Sequence, residues 1–494
     1  MSKNGGDDDE RTSTAAEPRV ETPLPPTMAF PAGTPAMREE DDFFAFQRTE
    51  YTWTHCQVHT AMPTNAINDY SLTFFIPGFE GPQFLFLDEA VLRVDASIVD
   101  KDGKPPPEDA MVAPINAWPT TMFREARLFL NEVEVSNCED GAYPLRNFIE
   151  MTLNSDTAQL QSTMKRFGYA WDQDNTYQGA SGTLKRQRSQ FGKYFDAADP
   201  DNPEKTKKVF RFHNAPTTMY GRIGTNFNNC KRPILPGVQV KYDLILADPD
   251  FYMVDASDEP KANHWRLKIH EIMLMVPWRQ MNYELYNSLG PRLARQPALY
   301  PLKRLEMKKL SLTAGQQNFT FEHLTQSTKK PDRMLLAFVA EKWWEGGVEH
   351  YPLQSRSYFD DPDDAASVSH LTRANLTVNS ERVDPIISKN KNQMVIGAYH
   401  HLIKNVGTEQ QFGRALPITL DQFEERQFYL MYDMTQPTRG FDPSVRYATK
   451  EGHARLELDF DRPLKRTVNL FVMSEYNALV TIDKNRLVLY NYLA

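Results

Sequence analysis

Short segments in which apolar residues occupy every second position recur along this sequence, and this period of two constrains the fold most. Residues 91–96 read Val-Leu-Arg-Val-Asp-Ala, and a turn signal, Asp102-Gly103, follows them. Successive side chains of a strand point to opposite faces of its sheet, so this alternation is typical of half-buried strands. Aromatic residues (12%) and 34 prolines also suit strands, edges and turns. The pattern predicts an all-β chain.

The strand-like segments fall into two blocks of roughly equal size, with about eight short strands each. Those of the first block are residues 51–60, 71–78, 86–100, 126–136, 209–214 and 238–248, of which 126–136 is predicted to be a hairpin with its turn near Asn131-Glu132. Those of the second block are residues 264–278, 302–314, 318–324, 333–344, 374–383, 453–461, 466–476 and 478–492. Eight short strands separated by turns are typical of a β sandwich of the jelly-roll type. The sequence therefore predicts two tandem eight-stranded jelly-roll sandwiches, with inserted helices and long loops.

The domain boundaries are predicted from composition. Residues 1–42 are acidic and proline-rich without a periodic apolar pattern, so we expect a disordered tail. This tail is either an arm that reaches a neighbouring molecule or a solvated leader without a role. The polar, acidic stretch 248–263 separates the two blocks. We therefore predict an N-terminal jelly roll at 43–258 and a C-terminal jelly roll at 259–494.

Two segments of the first block break the strand pattern. Residues 143–161 lose the alternation, and Pro144 suits the first turn of a helix, so we predict a helix there. Residues 162–207 form a polar excursion longer than an ordinary loop. Its basic stretch at 185–208 begins with Lys185, Arg186 and Arg188. This loop is either solvated or able to make a weak contact with an acidic neighbour or a genome.

Charge and composition exclude several classes of protein. The net charge is −9, whereas a general nucleic-acid binder is usually basic, so strong nucleic-acid binding is not expected. The start, MSKNGGDDDE, does not predict a signal peptide, and no apolar run predicts a membrane span. The sequons at Asn318 and Asn375 are therefore interpreted as chance matches. Three widely spaced cysteines, Cys56, Cys138 and Cys230, predict buried structural thiols in a reducing compartment rather than disulfides or zinc ligands.

Motifs for catalysis or metal binding are not recognisable. His270-Glu271 begins like a zinc-protease motif, but Leu274 stands where the second histidine is required. His55 and His59 share a strand face, and His400 is followed by His401, yet neither pair has an evident third ligand. We therefore predict no catalytic, cofactor-binding or metal-binding residues, no cofactor, and no enzymatic activity.

Two acidic clusters and one aromatic pair each leave two interpretations open. Asp248-Pro-Asp250 and the cluster of aspartates at 360–364 lack the spacing of a calcium loop. They are surface loops, or they hold a divalent ion at a subunit contact. Trp343-Trp344 ends an apolar strand, and it either packs in the core or anchors a partner at the surface.

The order of several longer segments resembles one family of proteins. Residues 371–385, 416–436 and 453–486 are similar to the C-terminal part of capsid proteins from Maverick/Polinton-type elements and adintoviruses. The most specific match is Thr467-Val-Asn-Leu-Phe-Val, then Glu475-Tyr, then Ile482-Asp-Lys-Asn-Arg. Residues 116–136, 143–154, 221–253 and, more loosely, 333–346 resemble earlier parts of the same proteins. The resemblance covers most of 86–490, and the 162–207 loop and the tail depart from it.

The resemblance implies a double jelly-roll major capsid protein of a DNA virus. Three chains would form a pseudo-hexagonal capsomer, or hexon, that tiles an icosahedral shell. The implied partners are further copies of this chain, neighbouring capsomers, and penton and minor capsid proteins. The implied location is the virion, after synthesis in the host cytosol and assembly in the cytoplasm or nucleus. The alternatives are a minor capsid or vertex protein, a soluble β-sandwich binding protein, and a jelly-roll enzyme of the cupin type.

Overall fold

The computed structural model describes most of the chain from Trp53 onward. The predicted tail at 1–42, the predicted strand at 209–214 and the aspartates at 361–364 lie outside the described residues. For residues 176–178, 184–186, 196–199 and 202–208 only the backbone is described, so the basic side chains at 185–208 are not. The other described ranges are 53–67, 70–107, 112–136, 138, 141–169, 216–255, 264–345, 353–360, 367–388, 390–407, 416–435 and 450–492.

The first half folds into two antiparallel sheets. Its strands are β1 (Trp53–Ala61), β2 (Ser71–Ile76), β3 (Gln83–Leu85), β4 (Val91–Val99), β5 (Val112–Pro114), β6 (Phe123–Leu130), β7 (Val133–Ser136), β8 (Thr176–Gln178), β9 (Leu184–Arg186), β10 (Asp196–Asp199), β11 (Asn202–Lys208), β12 (Thr217–Gly221), β13 (Val240–Leu246), β14 (Met253–Asp255) and β15 (Arg266–Met281). One sheet has the order β1-β15-β4-β12, with β3 also on β15, and the other has β2-β13-β6-β7. Short pairs, β5 with β14, β8 with β9 and β10 with β11, lie outside these sheets.

The second half repeats this arrangement. Its strands are β16 (Ala298–Leu312), β17 (Asn318–Phe321), β18 (Arg333–Ala340), β19 (Tyr358–Asp360), β20 (Val368–Val378), β21 (Glu381–Ile387), β22 (Tyr429–Asp433), β23 (Ala454–Phe460), β24 (Val468–Ile482) and β25 (Val488–Tyr492). The sheets have the orders β16-β24-β18-β22, with β25 on β24, and β17-β23-β20-β19, with β21 on β20. In each half the first strand pairs with a long strand near the end, β1 with β15 and β16 with β24. The two halves therefore share one strand topology, although no residue-level repeat relates their sequences.

Helices are inserted between the strands. They are α1 (Trp118–Thr121), α2 (Tyr143–Asn154), α3 (Thr157–Gln161), α4 (Pro249–Tyr252), α5 (Tyr283–Arg295), α6 (Glu341–Trp344), α7 (Lys391–Val406) and α8 (Leu420–Glu425), with 3₁₀ turns at Leu87–Glu89, Thr163–Phe167 and Phe227–Asn229. The predicted helix at 143–161 is confirmed as α2 and α3. Pro144 lies in the first turn of α2, where the missing amide hydrogen costs nothing. A capping box on Asp156 begins α3.

The predicted hairpin at 126–136 is confirmed, and its turn shows why it forms. Strands β6 and β7 pair through Leu130 and Val133. Between them Asn131 (φ 47°) and Glu132 (φ 68°) are both left-handed. Two consecutive left-handed residues produce the turn whose twist matches that of paired strands, and asparagine tolerates this conformation well.

Strand pairing corrects the predicted boundary between residues 258 and 259. That boundary assigns β15 to the second half, whereas β15 hydrogen-bonds to β1, β3 and β4 of the first half. The polarity of the stretch before β15 therefore does not mark the domain boundary, and its described part contains α4 and β14. We place the division after Met281, where α5 follows.

The end of the chain requires a second correction. The sequence predicts separate strands at 466–476 and 478–492, but Val468–Ile482 form one strand, β24, and Val488–Tyr492 form β25. Asn477 at the predicted break is fully buried and stays in register opposite Lys303 of β16. A buried polar residue in a central strand thus imitated a turn signal in the sequence.

Candidate functional site: the buried junction between the jelly rolls

Cross-strand pairing brings charged side chains together in the second jelly roll. Glu475 of β24 lies opposite Leu305 of β16 on one side and Arg333 of β18 on the other. Arg333 in turn lies opposite Asp433 of β22. Directly opposed residues of antiparallel strands share a sheet face, so an acidic and a basic group meet inside largely apolar strands.

Glu475 is the centre of this cluster. Arg333 donates to its carboxylate through Nη2 at 2.6 Å and Nε at 3.3 Å, and Lys303 Nζ lies 3.1 Å from it. Burial by itself would raise the pKa of Glu475, but Arg333 and Lys303 outweigh burial and lower the pKa to about 2. Lys303 also binds Asp332 at 3.1 Å. Burial nevertheless keeps the pKa of Asp332 above its ordinary value, although Lys303 opposes it.

Helix α2 contributes the first jelly roll's side of the junction. Arg146 is fully buried, and its Nε lies 3.4 Å from Glu150, one helical turn later. Arg146 Nη2 donates to Asn226 Oδ1 at 2.6 Å. The same oxygen accepts the backbone N–H of Leu305, in the second jelly roll, at 3.1 Å. Asn226 therefore connects the two halves through one buried hydrogen-bonded chain.

A cavity of about 120 Å³ lies where α2 meets the second jelly roll. Glu150 lines it from the first half, and Arg333 and Glu475 line it from the second. The remaining lining is mainly aliphatic side chains and thioethers, namely Ile149, Leu153, Leu305, Leu335, Val406, Met334, Met431 and Met473, together with Asn154. The cavity therefore places two carboxylates, one from each jelly roll, in one small space.

Aromatic side chains pack across the same junction. Trp344 of α6 lies with its ring 5.0 Å from that of Phe251 in the first half and 4.5 Å from that of Phe471 in β24. Tyr300 packs on Phe227 at 5.5 Å and donates its hydroxyl to the backbone oxygen of Pro233 at 3.1 Å. Large aromatic groups contribute strongly to interface energies, so these contacts stabilise the packing of the two halves against each other.

A turn near the C-terminus makes further hydrogen bonds between the two jelly rolls. Asp483 Oδ1 accepts the N–H groups of Asn485 and Leu487, both at 2.8 Å, which shapes the turn between β24 and β25. Arg486 in this turn donates through Nε to the backbone oxygen of Pro236 in the first jelly roll. In return its own backbone oxygen accepts from Asn131 Nδ2 at 2.8 Å. The segment 482–486, singled out in the sequence, thus contacts the first jelly roll directly.

The histidines singled out in the sequence lie apart from this junction. His55 packs on Trp278 and His59 on Phe79, and burial lowers the pKa of His59. His270 lies in β15 and hydrogen-bonds Ser97 Oγ at 2.8 Å. His400 and His401 lie on α7. In the described residues, histidine, cysteine, aspartate and glutamate form no group of three that could hold a metal ion.

The other candidates have local structural explanations. Asp248 caps α4 by accepting the N–H of Asp250 at 2.9 Å. Trp343 is buried and Trp344 packs at the junction, which favours the core interpretation of the pair. Cys138 and Cys230 are buried as predicted, whereas the prediction for Cys56 is wrong because this thiol is exposed on β1.

Sequence reasoning did not predict the junction. Its available signal was a single charge inside an otherwise apolar strand, such as Glu475 within VNLFVMSEYNALVTI. None of the helices in the described ranges is long and apolar enough to cross a membrane.

Comparison with known proteins locates this architecture among virus structures. A chain of the Sputnik virophage, solved by cryo-electron microscopy, matches with a TM-score of 0.56 at 12% identity, covering 98% of this chain and 94% of that one. VP54 of PBCV-1 matches with a TM-score of 0.50 at 9% identity, covering 91% and 100%. The chain has the double jelly-roll fold. The mavirus major capsid protein is a weaker match, with a TM-score of 0.47 at 10% identity, covering 97% of each chain.

Comparison of the sequence with family models and with curated proteins gives no match. The structural likeness thus extends over almost the whole chain at identities where sequence comparison fails. Its neighbours are double jelly-roll proteins of viral capsids, and the shared feature is the fold.

Proposed function

We propose that this chain is the major capsid protein of an icosahedral DNA virus, a structural building block and not an enzyme. The observation that carries the proposal is the match to a Sputnik virophage chain over 98% of this chain and 94% of that one. A match at both ends of both chains includes the pair of jelly rolls and their connection. A single-domain binding protein or a cupin enzyme would match only one half.

The junction supports a structural role. The halves are joined by a shared asparagine, by aromatic packing and by the turn at Arg486. Domains that must move relative to each other usually meet across small, polar surfaces. A pair of sandwiches joined by such contacts instead suits a unit that packs side by side with copies of itself.

We further propose that three copies form a pseudo-hexagonal capsomer. Each chain supplies two jelly rolls of like topology, so a threefold ring presents six similar sandwiches to its neighbours. Closed cyclic symmetry is the usual way in which identical chains form a finite ring. The assignment to Maverick/Polinton-type elements rests on the resemblance of residues 371–385, 416–436 and 453–486. Contacts with penton and minor capsid proteins, and assembly in the cytoplasm or nucleus, belong to the same proposal.

Light scattering on a sizing column tests the capsomer. Three copies of a 56.9 kDa chain give a mass of about 171 kDa, which we expect for the purified full-length protein. The mass should persist on dilution, because obligate interfaces of ~2,000–5,000 Å² do not dissociate readily. A mass of one chain at every concentration would contradict the trimer.

A further inference from the structure

Glu150 and Glu475 line the same cavity, but their carboxylates differ greatly in the number and closeness of their cationic partners. Glu475 has two cationic partners and three contacts of 2.6–3.3 Å. Glu150 has one ion pair, with Arg146 at 3.4 Å. A buried charge needs close partners to offset the loss of water, and a single long contact offsets little of that cost. The two carboxylates therefore differ in how readily they stay ionised.

The other charged groups around Glu150 do not provide a further close ion pair. Arg146 on the same helix is shared, because its Nη2 donates to Asn226 and its neighbours include Cys138 and Tyr143. Arg222 acts on Glu150 from the segment after β12, more weakly than Arg146. Across the cavity Arg333 is held by Glu475, and the negative charge of Glu475 acts against that of Glu150.

These contacts set the protonation behaviour of the pair of carboxylates. Burial raises the pKa of Glu150 above its ordinary value, Arg146 opposes this, and Glu475 adds to it. The pKa of Glu475 moves the opposite way, to about 2. As the pH falls from neutral, Glu150 therefore gains its proton while Glu475 keeps its charge and its ion pairs.

We propose that Glu150 is a proton-operated lock between the two jelly rolls. Uptake of a proton by its carboxyl tightens the packing of α2 against the second jelly roll, and release of the proton loosens it. When α2 separates from the second jelly roll, Glu150 meets water and its pKa returns toward the ordinary value. The closed junction thus binds the proton more tightly than the open one, so acid favours closure and rising pH favours opening. The lock operates within one chain and does not depend on the capsid proposal.

Hydrogen exchange of the full-length protein, read by mass spectrometry over α2, tests the lock. Protection factors, corrected for the intrinsic pH dependence of exchange, should rise as the pH is lowered from 8 to about 4.5, the ordinary pKa of a glutamate. One proton permits a rise of at most about tenfold per pH unit. Glu150→Gln, which imitates the neutral form, should show high protection at every pH. Glu150→Asp keeps a titrating group and should retain a slope.

Two control variants separate Glu150 from other carboxyls. Glu322→Gln alters an exposed residue, and Asp332→Asn alters a buried carboxyl with a raised pKa that does not line the cavity. Both should keep the slope. The proposal is overturned if protection in the unmodified protein is flat or falls with acid, or if E150Q keeps the slope. It is also overturned if D332N removes the slope, or if E150Q does not fold, since glutamine mimics the favoured form.

Discussion

Replacing Glu475 by glutamine removes the charge on which the junction cluster is built. The pKa of Glu475 is lowered from 4.5 to about 2, a difference of 2.5 pH units. At 1.36 kcal/mol per unit, the ionised form contributes about 3 kcal/mol to folding at neutral pH. Because the folded pKa is depressed, this contribution is present above about pH 4.5 and is lost as the pH falls through about 2. Glu475→Gln should therefore cost about 3 kcal/mol at pH 7, by leaving Arg333 and Lys303 buried without their partner.

Urea unfolding at pH 7, followed by fluorescence, measures the loss. Glu457→Gln is the matched control, because Glu457 also pairs with an arginine, Arg373 at 2.8 Å, but on a partly exposed sheet face. Exposed pairs contribute about 0–1 kcal/mol, so the control should shift little. Equal losses in the two variants, or a loss under 1 kcal/mol for Glu475→Gln, would refute the assignment of the buried cluster as a stabilising centre.

Three further predictions concern the junction and the thiols. Trp344→Ala should cost about 2–3 kcal/mol in urea unfolding because it empties the aromatic contact between the halves, whereas Leu487→Ala at an exposed position should stay within about 0.5 kcal/mol. Arg486→Ala should cost about 2 kcal/mol in urea unfolding by removing its charged hydrogen bond to the first jelly roll, and Lys484→Ala in the same turn should change stability little. Equal losses in the two variants would show that the hydrogen bond of Arg486 does not stabilise the junction. A thiol reagent should modify Cys56 alone in the folded protein and all three cysteines after denaturation; rapid modification of a second thiol would contradict the burial described here.

Local signals predicted the elements that depend on local chemistry. The hairpin at Asn131-Glu132 follows from residues that tolerate a left-handed turn, and α2 follows from the lost alternation and Pro144. These features depend on a few neighbouring residues, so the sequence records them directly. The prediction of a double jelly roll is also confirmed. It could be made from the sequence because strand spacing is likewise a local property.

Features set by distant residues were predicted poorly. The boundary at 258/259 is wrong for β15 because only pairing with β1, over 200 residues earlier, reveals its sheet. Helix α7 was missed, although Met394, Val395, Ala398 and Leu402 recur at helical spacing and are buried. The sequence does not predict the junction, because Glu150 and Glu475 belong to different halves and line one cavity only after both halves have folded.

Electron microscopy of the purified full-length protein tests the central claim most directly. The account predicts a particle of pseudo-hexagonal outline in which three chains place six β sandwiches around one axis, each pair joined through Asn226, Trp344 and Arg486. Particles that contain only two sandwiches would contradict a trimeric double jelly-roll capsomer.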